Sequence, residues 1–222
     1  MFDSLNSGRT ADYYSGALNK SAIYAIFGAA LLFELFTFGM GGYLTSSVAP
    51  GWWMLLCLIP AFGGVFLSKA DSPVLSLIGG VACAVGLGLY SGPYIASYKI
   101  GSIVNVAAYT AGITLCMTVA ASVFRNALAG IGGALFGALT MLVFSDFVAL
   151  FMAMMGFNVA PAVTFLDCFA VVLFSIYIAY DMMLLDTEAR TADDAIDMSV
   201  HVFLDIINIF LSLLSLLGDK DD

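Results

Sequence analysis

Six polar side chains recur at helical intervals near the C-terminal end of the chain. Asp197, His201, Asp205, Asn208, Ser212 and Ser215 stand 4, 4, 3, 4 and 3 residues apart in IDMSVHVFLDIINIFLSLLSLLG, residues 196–218. At 100° per residue they fall within roughly 80° of arc on one otherwise apolar helix. Glu34, Asp146, Asp167 and Asp181 lie in other apolar runs, none with an obvious basic partner in its own run. An ionisable group in hydrocarbon costs roughly 2.5–3.5 kcal/mol even on insertion scales, so acids that persist there usually face a bundle interior or a water path. Two carboxylates close together in a medium of low dielectric cannot both ionise cheaply, and they share a proton. Ionised together, they form a hard-oxygen site suited to Ca²⁺. Protons and Ca²⁺ then compete for one pair, and either can bias a two-state arrangement of helices. A protonated pair that merely hydrogen-bonds two helices would carry the same residues.

Other chemistries fit less well. Ser199 and His201 resemble a nucleophile and base, but residues two apart on a helix point about 160° away from each other. No Gly-x-Ser-x-Gly elbow, His-Glu-x-x-His or P-loop occurs, and there is a single histidine, so no enzyme is expected. The stretch DTEARTADDAID lacks the residue order of a calcium-binding EF-hand loop and reads as a solvated acidic linker. Cys57, Cys83, Cys116 and Cys168 sit singly in separate apolar runs, without metal or disulfide spacing. No cofactor is expected. A net charge of −9 excludes nucleic acid as a partner.

The elements that must position these groups are membrane helices. Of 222 residues, 62% are hydrophobic and only 10% charged, against about a quarter charged in soluble domains. Runs of about 20 apolar residues cross a bilayer, and seven candidates are legible: 21–44, 51–68, 73–98, 100–124, 127–156, 160–185 and 196–218. The expected architecture is all-α: a polar tail over residues 1–20, one transmembrane bundle over 21–218, and an acidic tail over 219–222. The polar leader and the long first run argue against a cleavable signal peptide. With seven spans, one side collects Arg9, Lys20, Lys69, Arg125 and Arg190 and the other Lys99 and Lys220, which places the N-terminus in the cytoplasm. With six, the C-terminus returns to that side. Gly133 and Gly137 have GxxxG spacing and suggest close helix packing.

Depth orders the acids. Asp181 falls about one turn from the cytoplasmic end of its span, and Asp205 roughly 14 Å into the last. Asp167 lies 14 residues before Asp181, roughly 21 Å along the same face. Glu34, Asp146 and Asp167 fall towards the exterior. That order suits a cation path; local serine and backbone partners for each acid would suit it too. His201, one turn before Asp205, could titrate near neutrality and feed the same switch.

The lines FSIYIAYDMM and FLDIINIFLSLLSLLG resemble the C-terminal signature of the transmembrane Bax-inhibitor-motif family. In that signature a Tyr-Asp closes one helix, and an acidic loop leads to Leu-Asp-x-Ile-Asn and a final Leu-Leu-x-x-Leu-Gly run. The resemblance implies a seven-transmembrane-helix bundle with a short last helix at its centre. It also implies that Asp181 and Asp205 form a pH-sensing carboxylate pair, transiently binding calcium, in a passive calcium leak. Where family members carry an arginine that latches the pair, this chain has Ser68 and Lys69. Lysine is a point charge without the bidentate fork, so Lys69 is a candidate substitute, with His201 and Asn208 accessory to the gate. Some bacterial relatives imply another role, regulation of a membrane-anchored ATP-dependent protease through the N-terminal tail. The short leader resembles bacterial members, which implies a cell inner membrane.

Overall fold

The computed structural model describes residues 17–221. The N-terminal tail expected to meet a protease lies almost wholly outside the described residues.

Eight helices form among the described residues, and no strand longer than an isolated bridge. They are α1 (Lys20–Thr45), α2 (Trp53–Leu67), α3 (Pro73–Ile95), α4 (Ile100–Val123), α5 (Arg125–Leu128), α6 (Gly132–Met154), α7 (Ala160–Thr187) and α8 (Ala192–Leu217). Six are long and apolar enough to cross a membrane; α2, at 15 residues, falls short and spans roughly 22 Å. The expected count of seven is therefore exceeded by one: FRNA, expected as a break, folds into the four-residue α5. The expectation of a short last helix is also corrected. At 26 residues α8 matches α1.

The reason lies in the stretch expected to be a linker. Only residues 188–191 separate α7 from α8. Thr191 caps the new helix: the Asp194 N–H donates to Thr191 Oγ1 at 3.1 Å, and the Thr191 N–H donates to Asp194 Oδ2 at 2.9 Å. Such a cap contributes about 1 kcal/mol. Asp193 and Asp194 also sit in the first turn, where the positive end of the helix dipole favours acids. Ser76 Oγ on α3 donates to Asp193 Oδ1 at 2.6 Å, tying that turn to the bundle.

Helix α8 occupies the centre and packs against α7, α1, α3 and α4. Val200, Phe203, Ile209 and Leu214 on it are fully buried. Outward faces carry Phe36, Phe62, Phe144, Phe147 and Phe165, a surface suited to lipid tails rather than water.

A second nucleus is α3 with α1 and α2. An ideal Cβ on Gly64 would fall against Gly79 and Cys83 backbone, and one on Gly88 against Phe38 backbone. Missing side chains thus let these backbones touch. Gly133 and Gly137, expected from their spacing to do the same, meet nothing within 4 Å; α6 packs mainly on α7 and presents that stripe outward.

The described chain ends lie at opposite ends of the bundle. The Leu18 N–H donates to the Arg190 carbonyl at 2.8 Å, beside the start of α8. Beyond the other end of α8, the Lys99 N–H donates to the Asp219 carbonyl and the Asp221 N–H to Ser97. The last helix therefore traverses the bundle. Lys20 and Arg125 share Asp186 at the first end, at 2.6 and 2.9 Å.

Candidate functional site

Helices α7 and α8 run antiparallel, and their polar positions meet in register. Asp181 of α7 faces His201 of α8, with His201 Nδ1 3.9 Å from Asp181 Oδ2. Asp167, 14 residues earlier on α7, accepts a 2.7 Å hydrogen bond from Ser215 Oγ, 14 residues later on α8. Fourteen residues is close to four helical turns, so both levels fall on the same pair of faces, roughly 21 Å apart. The polar stripe on α8 is thus the seam along α7.

The level nearer Lys20 holds Asp181 and Asp205, the two acids expected to pair. Asp181 is 5% exposed and Asp205 6%, and Asp205 feels the Asp181 carboxylate. Tyr177, one turn before Asp181, is within reach of both. Asp205 Oδ2 is buried without a hydrogen-bond partner. Bare acceptors of this kind are rare and ask for a reason.

A polar shell covers the approach to Asp181. His201 Nε2 lies 3.9 Å from Asp197 Oδ1 and 3.4 Å from Lys69 Nζ. With the ammonium donating to Nε2, the imidazole carries its own hydrogen on Nδ1, on the side of Asp181. Ser68 Oγ donates to Asp197 Oδ1 at 3.2 Å. Lys69, which follows α2, therefore reaches this shell through His201. Lys69 is exposed and His201 only partly covered, which makes this the wetter face of the pair.

The remaining expected residues divide. Asp146 is exposed on α6 and feels Asp167 electrostatically, so these two keep company at the opposite level. Glu34 does not join them. It is wholly buried and 2.9 Å from Ser199 Oγ, on the side of α8 turned away from the seam, because Ser199 precedes His201 by two residues. Asn208 donates through Nδ2 to the Leu204 carbonyl of its own helix at 2.8 Å rather than to either paired acid. Among the described residues no three His, Cys, Asp or Glu side chains converge as a metal cage would.

Asp197, Ser68 and Tyr177 were not foreseen as parts of the site. Asp197 stood in the polar stripe, one turn before His201, and that periodicity was its signal. Tyr177 precedes Asp181 by four residues, the spacing that puts two side chains on one helical face.

Comparison with known proteins adds the family. A model described as Inhibitor of apoptosis-promoting Bax1 matches residues 20–222. Uncharacterised proteins from two strains of Helicobacter pylori are each 31% identical over 179 residues, covering 77% of this chain and 73% of theirs.

Proposed function

This chain belongs to the Bax-inhibitor-like transmembrane family, and from that premise we propose that it is a passive calcium leak whose gate is the Asp181–Asp205 pair. The observation that carries the reading is two nearly water-free carboxyls on facing helices, one with an oxygen left bare. A carboxylate pair of this kind binds a proton or a divalent cation, and exchanging one for the other changes the force between α7 and α8.

The geometry also suggests a route. Ca²⁺ approaches from the Lys20 end past Asp197 and His201, or from the opposite end past Asp146 and Asp167. With both acids buried, the described arrangement is the closed one. Lys69 and His201 stand over the pair on its wetter side, where a cation repels incoming Ca²⁺ and an imidazole can carry protons. We place the end bearing Lys20, Lys69, Arg125 and Arg190 in the cytoplasm of a cell inner membrane.

Purified protein in liposomes loaded with a calcium-sensitive dye tests the leak. Ca²⁺ entry several-fold above empty vesicles, dissipating a gradient without added nucleotide, is the expected result. Entry equal to that of empty vesicles contradicts it.

A further inference from the structure

Glu34 is an acid that the gate leaves unused. It is 0% exposed on α1 and faces both α3 and α8. An ideal Cβ on Gly80 of α3 would come within 2.5 Å of Glu34 Oε1, so the glycine is what leaves room for the carboxyl. Glu34 Oε2 is buried without a hydrogen-bond partner, and Glu34 takes part in none of the ion pairs among the described residues. The groups around it are few. From α3 the titratable neighbour is Cys83, itself buried; α8 presents Ser199 and Val200. The other titratable residues of α1, Lys20, Tyr24 and Tyr43, lie towards its ends.

Counting hydrogens assigns the proton. Ser199 Oγ lies 2.9 Å from Glu34 Oε1 and 2.7 Å from the Ile196 carbonyl, but a hydroxyl has one hydrogen. With Glu34 ionised, that hydrogen is divided between two acceptors, and a bare anionic oxygen stands in a dry site, which is costly. With a proton on Oε1, the carboxyl donates to Ser199 Oγ and Ser199 donates to the Ile196 carbonyl. Each hydrogen is then used once.

We propose that Glu34 is a proton-binding position separate from the Asp181–Asp205 pair, and that its proton clamps α1 and α3 to α8. Loss of the proton puts a charge at the junction of three helices and opens it. The clamp does not depend on the chain conducting calcium.

Cys83 is a built-in reporter of that opening. In a background with Cys57, Cys116 and Cys168 replaced by serine, the full chain in liposomes is labelled with a membrane-permeant maleimide. The labelling rate is compared with that of Glu34→Gln at each pH, which cancels the pH dependence of a freely exposed thiol; the Glu34 charge by itself disfavours a nearby thiolate and slows labelling, so a rise in the ratio reports opening. The wild-type to Glu34→Gln ratio is expected near one in acid and to rise about tenfold or more in alkali, as local opening exposes the thiol. A ratio that stays at one throughout overturns the proposal. Infrared spectroscopy needs no substitution at Glu34: an Asp181→Asn, Asp205→Asn double variant should keep a protonated-carboxyl band at neutral pH that resists deuterium exchange. Absence of that band also overturns it.

Discussion

Asp205 is the residue on which the cost of function is most visible. A buried polar group left without a partner costs about 1–3 kcal/mol, and Asp205 Oδ2 is in that position. Leucine, of similar size and without charge, removes the cost, as replacement of buried charges by apolar groups often does. Asp205→Leu should therefore raise the Tm of the detergent-solubilised protein, by about 2–4 °C for each kcal/mol relieved. Its Ca²⁺ flux should at the same time lose its pH dependence, the usual trade between stability and a strained site. A lowered Tm would instead mean that the carboxyl is there to hold α7 and α8 together by hydrogen bonds.

Among the elements, α3 is the helix that tolerates least. Gly79 and Gly64 meet across the α2–α3 crossing, and a Cβ on Gly79 would fall on Ser68 and Gly64 backbone. Backbone cannot rotate aside as a side chain can, so Gly79→Ala should destabilise by about 1–3 kcal/mol, the range for overpacking. Ser68 and Lys69 follow directly on α2, so the same substitution should also disturb the cover over Asp181. Gly133→Ala and Gly137→Ala, which meet nothing, should leave the Tm unchanged or raise it by about 1–4 °C, because alanine is the better helix former; a fall comparable to that of Gly79→Ala would contradict the packing. These glycines mark what sequence could and could not tell. Hydropathy locates nearly every helix to within a few residues, and the Tyr-Asp and Leu-Asp-x-Ile-Asn lines point to Asp181 and Asp205. Spacing alone does not say which neighbour a glycine faces, so the GxxxG stripe on α6 reads as a contact that the packing does not make. Residues 192–195 read as linker from their acidic composition, but the Thr191-x-x-Asp194 cap starts α8 there. Depth groups Glu34 with Asp167, whereas the packing of α1 on α8 sets it against Ser199.

For the whole molecule, the central claim is that one antiparallel helix pair carries the path from end to end. It requires α8 to cross completely. Single cysteines at Leu18 and Asp219, both exposed and at opposite ends of the bundle, should be labelled by an impermeant maleimide from opposite sides of sealed vesicles. Labelling from the same side would contradict the crossing. The most direct test of the gate itself is the pH profile of Ca²⁺ flux in liposomes for wild type, Asp181→Asn and Asp205→Asn. It should span roughly pH 5.5–8, where a proton-sharing pair changes charge. Wild-type flux should change several-fold over that interval, and each single substitution should flatten the profile to within about twofold, since either one ends the sharing. Three superimposable profiles would contradict the account.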